Sequence, residues 1–222
     1  MSLKHLGVIA DGNRRWAKAQ GLPSIEGHKK GLDVIKTLVE SAAKAGIEYI
    51  TFYVFSTENW GRSEKEVSYI MKLAETRIVK YAEKLKSNNA KLAILGSKKK
   101  VSPKLASLMK KAEEITADST GITVGFCFNY GGEVEIADAA TIAASEGEIT
   151  PETIRKHLYH PGIPDVDMVV RTSGEERISG FMLWRASYAE FMFIEKYFPE
   201  MGAEDIDDII KEYESRSRRF GK

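Results

Sequence analysis

The stretch His5-Leu6-Gly7-Val8-Ile9-Ala10, running without a break into Asp11-Gly12-Asn13-Arg14-Arg15-Trp16-Ala17, decides how the chain is read. An apolar run of this length predicts a buried strand. Asp-Gly-Asn behind it predicts a tight turn, because these residues tolerate left-handed backbone. Two arginines then arrive where backbone N–H groups are free, which suits a diphosphate. Asp11 supplies what arginines cannot, a hard anionic oxygen for Mg2+, and Mg2+ on a diphosphate neutralises such a leaving group. An ordinary strand-to-helix turn with solvated arginines is the alternative that these residues leave open.

At 222 residues, 43% apolar and 29% charged, the chain is expected to form one globular domain over residues 1–222. A chain this long buries roughly 70% of its unfolded surface and needs neither disulfides nor a structural metal. The net charge of +1 removes a global electrostatic pull toward nucleic acid or anionic membrane, so no nucleic-acid partner is expected and any polyanion site must be local. Cys127 lies in Ile122-Thr123-Val124-Gly125-Phe126-Cys127-Phe128 and reads as a buried strand thiol in a reducing compartment. Met1-Ser2-Leu3-Lys4 leads into an apolar segment too short for a signal sequence, and no apolar run approaches the ~18 residues of a membrane span. A cytoplasmic protein is expected, with peripheral contact at the inner membrane face as its closest approach to a bilayer.

Short apolar runs alternate with helical patterns, which predicts an α/β fold with a central, mostly parallel sheet flanked by helices. Strands are expected at residues 3–10, 49–55, 91–95, 122–129 and 166–170, with a late pair at 181–184 and 190–194. Helices are expected at 31–44, 64–87, 103–116, 134–144, 151–158 and 204–217. No repeat or long linker divides the chain, and Lys98-Lys99-Lys100 reads as a solvated turn. In the 64–87 helix, Val67, Ile70, Met71, Ala74, Ile78, Tyr81 and Leu85 form an apolar stripe. Packing on the sheet accounts for such a stripe; walling an elongated cavity is the other reading.

Three further stretches carry polar chemistry. Phe55-Ser56-Thr57-Glu58-Asn59-Trp60-Gly61-Arg62 follows an expected strand, where parallel α/β sheets place ligands. Ser56 and Asn59 can bond phosphate oxygens and Arg62 offers a charged fork; alternatively Ser56 or Thr57 caps the next helix and Trp60 is core. Gly27-His28-Lys29-Lys30-Gly31 holds a histidine that by itself reads as structural. The third, Val169-Val170-Arg171-Thr172-Ser173-Gly174-Glu175-Glu176-Arg177-Ile178-Ser179, again sets arginines among small residues after an apolar strand. Two anion cradles on one sheet edge suggest an enzyme that brings two diphosphorylated substrates together.

Taken with Asn129-Tyr130-Gly131-Gly132, Ser187-Tyr188-Ala189-Glu190-Phe191 and the closing Arg216-Ser217-Arg218-Arg219-Phe220-Gly221, these ordered motifs make the chain resemble the cis-prenyltransferases over nearly its whole length. The resemblance implies a parallel sheet flanked by helices around an elongated apolar tunnel, and a homodimer. It also implies Mg2+-dependent condensation of isopentenyl diphosphate with an allylic diphosphate, farnesyl diphosphate being the expected primer, to a long polyprenyl product such as undecaprenyl diphosphate. In that frame Asp11 is the essential carboxylate on Mg2+, and Gly12, Asn13, Arg14, Arg15, Trp16 and His28 surround the allylic diphosphate. Arg171, Arg177 and Ser179 match the isopentenyl diphosphate site. Ser56, Thr57, Asn59, Trp60 and Arg62 match a loop over the reacting centre, with Ser56 and Asn59 close to the chemistry and Glu58 as its hinge-side acid. Glu190 matches a carboxylate brought near the metal from the dimer partner, and the terminal arginines match a tail reaching across the dimer.

The chain departs from the family pattern at Ser24, where an arginine is common, at Glu176, where a histidine is common, and in a compact stretch over residues 143–164. The Glu176 change leaves open whether this carboxylate joins the metal or pairs with an arginine. A trans-type prenyltransferase would carry paired aspartate-rich motifs; the acidic run Glu204-Asp205-Ile206-Asp207-Asp208 instead reads as a helix N-terminus. Walker and dinucleotide glycine patterns are absent. The rivals within the same fold are a shorter-chain cis-prenyl diphosphate synthase and a non-catalytic binding subunit.

Overall fold

The computed structural model describes residues 2–216. Of the closing motif only Arg216 falls within them, and the tail arginines Arg218 and Arg219 lie outside the described residues. In chain order the elements are β1 (His5–Ile9), α1 (Asn13–Ala19), α2 (Ser24–Lys44), β2 (Tyr49–Ser56), a 3₁₀ turn (Thr57–Gly61), α3 (Glu64–Ser87) and β3 (Lys91–Leu95). They continue with α4 (Pro103–Ile115), β4 (Thr123–Tyr130), α5 (Gly132–Glu146), α6 (Pro151–His157), β5 (Met168–Thr172), β6 (Glu190–Ile194), a short 3₁₀ turn (Phe198–Glu200) and α7 (Ala203–Ser215). The sheet order is β3-β4-β2-β1-β5-β6, and the β1–β5, β5–β6 and β3–β4 pairs all run parallel. Among the described residues no helix is long and apolar enough to cross a membrane.

The described chain divides into two compact units. The first comprises residues 2–50, 165–179 and 185–216. In it β1 and β5 are buried at every position, as expected of parallel strands covered on both faces. Their register sets Ile9 opposite Arg171, and β6 sets Phe193 opposite Arg171 on the other side. Helix α2 buries Val34, Ile35, Leu38, Val39 and Ala42, a stripe with helical spacing. It begins at Ser24 rather than at residue 31, so Gly27 and Gly31 are helical and lie one turn apart on one face. A Cβ on Gly27 would sit 2.0 Å from the Asn13 carbonyl oxygen, and one on Gly31 would sit 2.7 Å from Asn13 Oδ1. The two glycines therefore let α1 lie directly on α2.

The second unit comprises residues 51–164 and 180–184. Phe55, Val67, Leu105 and Phe128 form a buried cluster here, with Trp60, Ile70, Met71 and Ala74 packed against it. Each large apolar side chain buried this way contributes about 1.5–3 kcal/mol. Ser63 caps α3 by accepting from the Glu66 N–H, and Ser102 caps α4 by accepting from Leu105. Along α3 only Val67, Ala82 and Leu85 are fully buried; Ile70, Met71, Ala74, Ile78 and Tyr81 remain half-buried. Cys127 is buried on β4, as expected.

The expected strand at 181–184 is not one: these residues form turns. Ser179, Gly180 and Met182 have φ of 49°, 76° and 45°, and a strand cannot carry left-handed residues at such density. The run is apolar because Phe181 and Met182 are buried, so burial alone imitated a strand.

Candidate active site

In the first unit the site is built on the ends of β1 and β5. Past Ile9, the Asp11 N–H donates to Thr172 Oγ1 at 2.9 Å and Thr172 Oγ1 donates back to the Asp11 carbonyl at 2.7 Å. One hydroxyl thus fixes the backbone of the loop. Gly12 follows at φ 94°, in the left-handed region, and a Cβ there would lie 2.7 Å from Cδ1 of Tyr197 and 3.0 Å from Ser173 Oγ. Both conformation and space require glycine.

Around this turn three guanidinium groups face two carboxylates. Arg171 Nη2 meets Asp11 Oδ2 at 2.8 Å while Nη1 donates to Ser179 Oγ at 2.9 Å and to the Arg177 carbonyl. Its side chain is 5% exposed, so this charge is held almost out of water. Arg15 spans Glu175 at 2.9 Å and Asp11 at 3.5 Å, donates to the Ser173 carbonyl, and lies over the Tyr197 ring. Arg177 pairs with the same Glu175 carboxylate. Burial raises the Asp11 pKa, but the Arg171 hydrogen bond, the Gly12 N–H and the Arg171 and Arg15 charges outweigh it and hold the carboxyl below its ordinary 3.8. Asp11 is therefore a carboxylate at neutral pH.

Buried Asn13 Oδ1, Arg171 Nε and Ser173 Oγ have no hydrogen-bond partner among the described residues. Arg171 Nε can only donate, and Ser173, held at a left-handed φ of 82°, presents a hydroxyl beside Gly12. Unsatisfied donors beside concentrated guanidinium charge are what an oxyanion satisfies. Arg14 is exposed on α1, and Trp16 on α1 and His28 on α2 are half-buried. Glu176 is exposed, and Glu190 pairs with Arg216 at 3.0 Å. Among the described residues no three His, Cys, Asp or Glu side chains gather as a metal cluster.

In the second unit Ser56 and Asn59 close a capping box around the 3₁₀ turn, with Asn59 Oδ1 accepting from the Ser56 N–H at 3.2 Å. Ser56 thus caps this turn, and the cap of α3 is Ser63. Burial raises the Glu58 pKa, but hydrogen bonds from Thr57, its own N–H and Ser56 lower it overall. Arg62 pairs with Glu66 at 2.9 Å. Trp60 packs edge-on against Phe55 and donates its indole N–H to Asn129.

Sequence reasoning did not assign Thr172, Ser173, Glu175 or Tyr197. The first three lie inside a motif that it had singled out, and only Tyr197, in Lys196-Tyr197-Phe198-Pro199, carried no signal.

Residues 9–221 match the family model described as undecaprenyl diphosphate synthase. An isoprenyl transferase of Neisseria meningitidis is 42% identical over 221 residues, covering 99% of this chain and 89% of that protein. The ditrans,polycis-undecaprenyl-diphosphate synthase ((2E,6E)-farnesyl-diphosphate specific) of Aliivibrio fischeri is 41% identical over 226 residues, covering 98% and 88%. Among solved structures, the lavandulyl diphosphate synthase of Lavandula x intermedia, in complex with dimethylallyl diphosphate, superposes with a TM-score of 0.93 at 29% identity, covering 100% of this chain and 99% of that one. A probable undecaprenyl diphosphate synthase from Campylobacter jejuni gives 0.86 at 31% identity, with 100% of each chain covered. With a family model matched over nearly its whole length and relatives above 40% identity, the chain belongs to the undecaprenyl diphosphate synthase family of prenyltransferases.

Proposed function

We propose that the chain condenses isopentenyl diphosphate with an allylic diphosphate, farnesyl diphosphate as primer, in cis configuration to a long polyprenyl diphosphate that serves as a lipid carrier for cell-wall synthesis. The observation that carries this reading is the buried Arg171, held between Asp11 and Ser179 with its Nε unsatisfied, inside a ring of arginines at a strand end.

In this reading Gly12, Asn13, Arg14, Arg15, Trp16 and His28 receive the allylic diphosphate, and Arg171, Arg177 and Ser179 receive isopentenyl diphosphate. Asp11 fits Mg2+: it is ionised and partly exposed, and Mg2+ takes one or two carboxylates alongside substrate phosphates and water. Bound there, Mg2+ would neutralise charge on the leaving diphosphate. The arginines act in the same sense, because the allylic C–O bond breaks with its electron pair going to the diphosphate, whose charge peaks in the transition state. The isopentenyl double bond then attacks the allylic carbon, and the product loses one proton to a base, Asp11 or the departing diphosphate.

Ser56, Thr57, Glu58, Asn59, Trp60 and Arg62 form the loop over the reacting centre, supported by their tightly bonded 3₁₀ turn. The half-buried stripe of α3 supports an apolar tunnel for the growing tail. A homodimer is supported by the outermost strand β6, where Phe193 is 37% exposed and Tyr188 just before it 78% exposed; Glu190 and the terminal arginines would then act across it. The buried Cys127 thiol, in no disulfide, fits the cytosol, with product handed to the membrane.

The likeness to lavandulyl diphosphate synthase favours one second reading, a shorter-chain synthase on this fold. Incubating the purified protein with Mg2+, farnesyl diphosphate and radiolabelled isopentenyl diphosphate, then separating products by reversed-phase chromatography, tests both. A long product supports the first reading and a short one the second. No organic-soluble product at all refutes both and leaves the binding subunit.

A further inference from the structure

The tetrapeptide Asn129-Tyr130-Gly131-Gly132 belongs to the family pattern, yet nothing in the chemistry above uses its first residue. Asn129 ends β4 with φ 50°, a left-handed conformation for which Asn is among the few tolerant side chains, and is 2% exposed. Its side chain makes three hydrogen bonds. Oδ1 accepts from the Trp60 indole N–H at 2.7 Å, and Nδ2 donates to the carbonyls of Ser97 at 2.7 Å and Lys99 at 2.6 Å. Its own carbonyl accepts from the Ser97 N–H at 3.1 Å.

The chemistry of the partners permits one amide orientation. An indole can only donate and a carbonyl can only accept, so the site needs one acceptor and two donors on a short side chain. Aspartate lacks the donors, serine has a single one, and glutamine is a methylene longer on a residue type less at ease at positive φ. Asparagine therefore fits on three independent counts: bonding pattern, length and backbone. The result joins the 3₁₀ turn after β2, through Trp60, to the lysine turn after β3, through Ser97 and Lys99. Among the described residues Trp60 is otherwise held by packing, edge-on to Phe55 at 5.4 Å and against the buried cluster, which limits its depth but leaves its rotation about the packing face to the indole bond.

We infer that Asn129 is the positioning residue that orients Trp60, and with it the Ser56–Asn59 turn, for catalysis. This rests on the reading of that turn as the loop over the reacting centre. The test compares wild type, Asn129→Ala, Trp60→Phe and the double variant by kcat, KM for isopentenyl diphosphate, and the rate of tryptic cleavage after Arg62. Loss of one net hydrogen bond predicts that kcat falls about fivefold to tenfold in each single variant, with KM within about twofold. If the effect passes through the bond, the double variant is no slower than the worse single. Cleavage after Arg62 is faster in all three.

Single losses that multiply in the double variant overturn the inference, as does an Asn129→Ala protein that melts lower but keeps wild-type kcat per folded molecule. Should Asn129→Ala not fold, Trp60→Phe leaves both carbonyl bonds in place, and unchanged kcat and cleavage there refute the inference alone. Wild type that cleaves slowly, loosens as expected in the variants and yet makes no product would refute the enzymatic reading while leaving the structural tie intact.

Discussion

Replacing Asp11 by alanine separates the carboxylate's two jobs, partner of Arg171 and candidate ligand of Mg2+. Breaking a fully buried ion pair destabilises by about 3–5 kcal/mol, because the remaining charge is stranded. The Asp11 side chain is 32% exposed, so water screens the pair and a loss of about 1–3 kcal/mol is expected. Against a typical stability of about 5–15 kcal/mol the variant folds, melting lower by roughly 3–10 °C. Turnover falls at least ~10²-fold to 10³-fold, the scale for losing a charge interaction made in the transition state. Diphosphate binding without Mg2+ survives, since Arg171 and Arg15 lose a competitor rather than a support. Saturating inorganic pyrophosphate should therefore recover much of the lost melting temperature, as about 2.7 kcal/mol is available at a hundredfold excess over Kd. Steady-state kinetics, calorimetric pyrophosphate titration and thermal melts read these three quantities. Turnover within tenfold of wild type at saturating substrates and Mg2+ refutes the catalytic role, and loss of pyrophosphate binding would show that Asp11 instead holds the arginines in place.

Arg171→Ala should raise the KM for isopentenyl diphosphate about tenfold or more, and more than that for the allylic substrate, since charged hydrogen bonds are worth roughly 1.5–3 kcal/mol. Arg177→Ala should act on the same substrate more weakly, its side chain being 59% exposed against 5% for Arg171; equal effects on both substrates reverse the assignment. Asp11 has a folded pKa below its unfolded value, so its contribution is complete above about pH 4 and is lost as pH falls through the lowered pKa. Denaturant midpoints from pH 7 to pH 3 should show that acid loss in wild type and a shallower one in Asp11→Ala; identical slopes contradict it. Ile122, 6% exposed just before β4, is proposed as the floor of the tunnel for the growing tail. Ile122→Ala should lengthen the product at a stability loss of roughly 2–5 kcal/mol, and an unshifted product ladder from folded variant makes Ile122 simply core.

Where local signals agreed, the sequence was a reliable guide to the fold. Helix α3 lies at residues 64–87 as read, because Ser63 caps it and the apolar stripe keeps step throughout. Strand β3 matches at both ends for a similar reason, standing between Asn88-Asn89 and Gly96. Helix α2 begins a full two turns before the expected residue 31 because Gly27 argues against helix until it is known that α1 lies on it. Helix α1 itself went unread: its residues are the anion motif, whose glycine and arginines spoke for a loop. At residues 181–184 burial mimicked strand patterning while the backbone turned left-handed.

The site divides along the same line. Which residues would gather at the strand ends was legible, since Asp11, Arg15, Arg171, Arg177 and Ser179 stand within two short motifs and the structure joins them by direct contacts. How their charges are matched was not, because it depends on a register between segments 160 residues apart. Parallel pairing of β1 with β5 sets Ile9 beside Arg171 and puts both strand ends at one edge. Only that pairing makes Thr172 a hub for the Asp11 backbone and brings Glu175 against Arg15. A parallel pair needs a crossover, and here the crossover is most of the chain, so no window of sequence contains both halves. Each motif on its own asks for an anion. Together they already supply two carboxylates, so in the proposed reaction a diphosphate at Arg15, Arg171 and Arg177 would compete with those contacts rather than meet bare cations.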